Sequence, residues 1–181
     1  AMYRQVLDLY ATSYDYDPKS DESIKFFKIV QNKLHYAVSE QTASEIIFSR
    51  VNGDKEFMGL TNFKGQMPTL NEAKTAKNYL SEDELFRLNR LVSAFFDLAE
   101  VKAHEREPMY MRDWISELDK FSVTYGKGVL QNAGSVSHSE AMKKVDTEYA
   151  KYRQNNLTPV EKEYINAVKS INLKLKDKGK K

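Results

Sequence analysis

The chain is expected to fold as a single all-α domain of seven to nine helices around a long central helix. One glycine-bearing ordered loop or small hairpin interrupts it. Three observations predict this. Five Ser/Thr-x-x-Glu patterns stand along the sequence: Thr42–Glu45, Thr69–Glu72, Ser81–Glu84, Ser137–Glu140 and Thr158–Glu161. In such a capping box the hydroxyl and the carboxylate each satisfy an orphan backbone donor, so each pattern marks a helix start. The stretch after Ser81 carries Leu85, Leu88, Leu91, Val92, Phe95, Phe96, Leu98 and Ala99 on one face. That stripe is about 160° wide, which suits a central, well-covered helix. One non-helical island, Asn52 to Pro68, holds Gly53, Gly59, Gly65 and Pro68.

The elements follow in order. Tyr3, Val6, Leu7 and Tyr10 share a face, which predicts a helix over Met2 to Ala11. A second runs from Asp21 to about Val38, and a third from Thr42 to the Asn52-Gly53 turn pair. Thr69 opens a short helix to Leu80, and Ser81 opens the longest, to about Glu105. Trp114, Leu118 and Phe121 mark a helix from Met111 to Val123. Gly126 to Gln131 fits one helical turn. Ser137 opens a helix to about Asn155, and Thr158, followed by Pro159, opens the last. The island Asn52 to Pro68 holds Phe57, Met58, Leu60 and Phe63 between its glycines, as a tied-down loop does.

Composition bounds the chemistry. With 181 residues, 41% apolar and 30% charged, the chain can bury the core of one soluble domain. The absence of cysteine excludes disulfides and thiol catalysis and fits a reducing, cytoplasmic setting. No apolar run approaches the ~18 residues of a membrane span, and the first residues carry no apolar signal region. No cofactor, metal or membrane association is expected: there is no HExxH, no paired His/Cys spacing and no GxGxxG. The net charge of +2 hides a lysine-rich end. Lys169 to Lys181 carries +5, leaving −3 on the other 168 residues. Residues 174–181 read as a disordered tail.

Candidate site residues are those that break the apolar pattern. With Ile24 at 0° on a helical wheel, the stripe of the second helix holds Ile24, Phe27, Val30, Leu34 and Val38. Gln31 falls inside it and His35 on its edge. A buried amide without partners costs ~1–3 kcal/mol, so this pair reads either as a catalytic acid–base couple or as a satisfied core pair. Asn32 can join either. Thr61 and Lys64, in the glycine island, offer a hydroxyl and a charge to an anion, although no Walker pattern is present. Tyr14 and Asp15 lie in a loop of alternating tyrosine and aspartate. It lacks the glycine and ligand spacing of a calcium loop, and turn chemistry explains it equally well. Lys77 and Asn78 precede the Ser81 cap as contact surface or helix end. His138 stands at a helix start, where the dipole disfavours its cation.

The runs YATSYDYDP (10–18), VQNKLHYA (30–37), MGLTNFKG (58–65), AKNYL (76–80) and EYAKYR (148–153) resemble the C-terminal portion of RhuM-family proteins, in order along nearly the whole chain. The resemblance implies a virulence- or defence-associated protein of mobile elements and restriction-modification loci. It also implies an upstream DNA-binding segment that these residues do not include. Some members carry a label linking them to Fic proteins. That chemistry needs His-Pro-Phe and a Gly-Asn anion loop; no histidine here precedes proline and no Gly-Asn occurs. Two expectations stand. The first is a binding or regulatory module that works through a protein partner or a second copy. It would reach nucleic acid through the upstream segment or the lysine tail. The second is an effector enzyme on a nucleotide or phosphate ester, distantly Fic-like, in which His35 moves a proton, Gln31 orients it, and Thr61 and Lys64 hold the anion.

Overall fold

The computed structural model describes residues 13–17, 19–157, 160, 161 and 163–168. All regular structure among them is helical: six α-helices, two 3₁₀ turns, and helical residues again at 160, 161 and 163–168. The expected helix over Met2 to Ala11, the Thr158 cap and the lysine tail lie outside the described residues.

Helix α1 spans Asp21–Ser39. Its N-cap Ser20 accepts from the Ser23 N–H, and Glu40 ends it in the left-handed conformation with its N–H on the Tyr36 carbonyl. Helix α2 follows over Ala43–Arg50. A 3₁₀ turn spans Glu56–Gly59, the four-residue α3 spans Leu70–Ala73, and a second 3₁₀ turn spans Ala76–Tyr79. The long helices α4 (Glu82–His104), α5 (Met111–Tyr125) and α6 (His138–Asn155) complete the order. The four expected capping boxes that fall within the described residues all form.

Two lobes meet where α1 packs against α2. In one, α1 packs against α4 and α5. Its core is Phe26, Val30 and Leu34 with Leu88, Val92, Phe95, Trp114 and Leu118. The Phe95 ring meets the Trp114 indole edge-on at 6.0 Å, a favoured aromatic geometry. In the other, α2 packs against α6 and the second 3₁₀ turn, burying Ile46, Ile47, Tyr79, Ala141 and Val145. Burying a side chain of this size contributes about 1.5–3 kcal/mol each before entropy is charged against it.

The island Asn52 to Pro68 is an ordered loop, with no strand and so no hairpin. Phe57 and Met58 both have positive φ (50° and 59°), which costs a non-glycine residue ~1–2 kcal/mol each. Complete burial of Met58 offsets this strain. Gly59 continues the left-handed run at φ 82°, and a Cβ there would stand 2.6 Å from the Arg50 carbonyl oxygen, so only glycine fits. Further along, the Thr61 and Asn62 N–H groups donate to the Asn78 carbonyl.

Three capping glutamates do a second job. Glu45 caps α2 through Thr42 and accepts from the Ser135 N–H (2.6 Å) and hydroxyl. Glu72 caps α3 through Thr69 and accepts from the Lys64 N–H. Glu84 caps α4 through Ser81 and takes both arms of the Arg50 guanidinium at 2.6 and 2.7 Å.

Three expectations are corrected. The stretch from Thr69 to Leu80 is not one helix. It breaks after Ala73, because the Tyr79 hydroxyl takes the Ala73 carbonyl and the Asn78 amide takes that of Glu72. Gly126 to Gln131 forms no helical turn; the Lys127 N–H donates instead to the Ala37 carbonyl. Ile24, counted in the α1 stripe, is 50% exposed.

Candidate functional site

The α1 wheel places Gln31 inward and His35 at the edge; the structure has the reverse. His35 is fully buried, and Gln31 is half-buried. His35 stands in the C-terminal half of α1, where Leu34, Ala37 and Val38 are also buried, and Gln31 stands one turn earlier. The His35 Nδ1 lies 2.7 Å from the Gln31 carbonyl oxygen, an acceptor only, so Nδ1 carries the proton. Burial lowers the imidazole pKa from its ordinary value. The Gln31 hydrogen bond opposes that shift, and the Lys77 charge adds to it. His35 is thus a neutral imidazole held against its own helix.

Gln31 opens onto a cleft of about 300 Å³. Lys28, Gln31 and Asn32 line one wall, and their spacing of three and four residues sets them on one face of α1. Ser44 and Ile47 of α2 form the floor with Ala43, whose N–H donates to the Asn32 Oδ1 at 3.3 Å. Lys74 closes the far side, with its ammonium 2.7 Å from the Asp146 carboxylate. His138 stands at the mouth, on the first residue of the 18-residue α6. Lys28 has no ion-pair partner among the described residues. Amide, hydroxyl, imidazole and ammonium groups with a surplus of positive charge suit a small anionic ligand, one bearing a phosphate or carboxylate group.

The structure therefore brings Gln31, Asn32 and His138 together and leaves the other candidates apart. The Thr61 hydroxyl donates to the Leu80 carbonyl at 2.6 Å, which pins the glycine-bearing loop. Lys64 is exposed and engages Glu72 through its backbone N–H. Asn78 ties the same loop through its carbonyl and its amide, and Lys77 stands beside it, half-buried. Tyr14 is 78% exposed, with its ring 6.2 Å from that of Tyr110. Asp15 accepts the Met111 N–H at 2.9 Å and so caps α5 from a distance. Among the described residues no cluster of His, Asp or Glu is placed to hold a metal, and no helix is long and apolar enough to cross a membrane.

Sequence reasoning missed Lys28, Ser44 and Lys74. Lys28 was open to detection, one helical turn before Gln31 and Asn32. Lys74 reaches the cleft only because the chain breaks after α3, which no local pattern announces.

The sequence model of the virulence protein RhuM family matches residues 1–159. No curated protein and no solved structure matches the chain.

Proposed function

The chain belongs to the RhuM family of virulence proteins, and we propose that it acts there as a binding and regulatory module whose cleft reads a small anionic ligand. The observation that carries this reading is the convergence of Lys28, Gln31, Asn32, Lys74 and His138 on one cleft. In this reading the occupied cleft fixes α1, α2 and α6 relative to one another. That state is relayed to a DNA-binding segment upstream in the same protein. The seclusion of His35, whose ring is sealed in the core, weighs against an effector enzyme that uses it as proton carrier.

Isothermal titration with inorganic phosphate, AMP and citrate tests the cleft. At least one of these binds, and a Lys28→Glu chain with unchanged thermal stability binds it about tenfold more weakly, as removal and reversal of a paired charge require. A ligand bound equally well by Lys28→Glu, or none bound by the native chain, refutes the reading. Turnover of a phosphate ester that survives Lys28→Glu and is lost in His35→Gln returns the enzyme to first place.

A further inference from the structure

A second concavity, of about 410 Å³, lies on the other lobe between the start of α4 and the end of α5. Its floor is Leu91, Ala94 and Phe121; Phe86 and Tyr125 flank it, and Arg87 and Arg90 stand at its rim. It is apolar where a surface is normally polar. Phe86 is 58% and Tyr125 69% exposed, although both rings are large enough to repay burial. Neither is idle in geometry. Tyr125 packs on Phe121 with centroids 4.8 Å apart, and the Arg90 guanidinium sits 5.2 Å from the centre of the Phe86 ring. The rings are thus held in place, which lowers the entropy lost when something covers them.

We propose that this groove docks an amphipathic helix of another protein, with its apolar face on the floor and a flanking carboxylate on Arg90. The arguments are chemical. Both walls are α-helices whose backbone groups are satisfied internally, so the groove offers no edge for a strand. A peptide occupant must satisfy its own backbone, which a helix does. The run from Phe86 to Ala94 is about 12 Å long at 1.5 Å per residue, roughly two turns of an incoming helix. Charge selects the flank. Arg87 is paired with Asp83 at 3.2 Å, whereas Arg90 has no carboxylate partner among the described residues and is open to one. One unpaired guanidinium, on a helix stripe that also carries Asp83 and Asp97, is too little cation for a nucleic-acid backbone.

The test selects a displayed library of peptides of about 16 residues on the full chain, with counter-selection on Phe86→Ser, an exposed substitution that leaves the core intact. Enriched peptides carry apolar residues at three- and four-residue spacing with Asp or Glu beside them. A labelled peptide from the pool, measured by fluorescence anisotropy, binds about tenfold more weakly to Arg90→Glu, and the loss is recovered when its flanking acid is changed to lysine. No enrichment over Phe86→Ser, enrichment of basic or aperiodic peptides, or affinity indifferent to Arg90→Glu overturns the proposal. So does sedimentation showing a dimer, or oligothymidine binding, that Phe86→Ser abolishes.

Discussion

A His35→Leu substitution should remove a specific part of the acid sensitivity of this fold. The side chain is fully buried and its pKa is depressed, first by desolvation. Above its ordinary value near 6.5 the imidazole is neutral in both folded and unfolded chains, and contributes no pH dependence. Below it the unfolded chain takes up a proton that the native chain refuses, so stability falls as pH falls, until the folded pKa is passed. With the native imidazole neutral throughout, lowering the pH from about 7 to about 5.5 costs on the order of 1 kcal/mol through this one group. That is a measurable fraction of the ~5–15 kcal/mol typical of a domain. Urea unfolding of the native chain and of His35→Leu at both pH values isolates it, because His104 and His138 are present in both proteins and cancel. The native chain should lose on the order of 1 kcal/mol more than the variant across that interval. Equal losses would mean that His35 is charged or hydrated in the fold, and the seclusion argument would fail with it.

Glu84→Gln should destabilise by about 1–2 kcal/mol in the same assay at neutral pH. The Arg50 guanidinium holds the Glu84 carboxyl down at about 2, worth ~3 kcal/mol unscreened, and partial exposure reduces it. Because its folded pKa lies below the unfolded one, that contribution is present above about pH 4.5 and disappears as pH falls toward about 2. Gly53→Ala should cost about 1–3 kcal/mol and lower the melting temperature, since the added Cβ would stand 2.5 Å from the Glu148 carbonyl oxygen and force α6 off the loop. Thr69→Ala removes the cap of α3 and a hydroxyl bonded to Glu72 at 2.7 Å, for an expected loss of ~1 kcal/mol by chemical denaturation.

Helix starts were the most legible part of the sequence, because a capping box is decided within four residues. Thr42, Thr69, Ser81 and Ser137 needed nothing distant to be read. The break after Ala73 was not legible. It depends on where the Tyr79 hydroxyl and the Asn78 amide find acceptors, and propensity does not encode that. The exchange of Gln31 and His35 has a similar origin. A helical wheel gives a residue's angle around the axis but not how far along the axis the neighbouring helix reaches. Three members of the cleft, Gln31, Asn32 and His138, were marked by their chemistry alone. Their meeting needed the long-range packing of α2 against α6.

The doubled role of Glu45, Glu72 and Glu84 has a consequence for how the molecule breathes. An ordinary helix frays at its first turn without disturbing anything else. Here a loosened first turn of α2 also releases Ser135, and a loosened first turn of α4 also lets go of Arg50. The two ends of each clip therefore belong to one opening event. Amide protons at Glu45 and Ser135, far apart in the chain, should exchange with the same protection and lose it together when Glu45 is replaced.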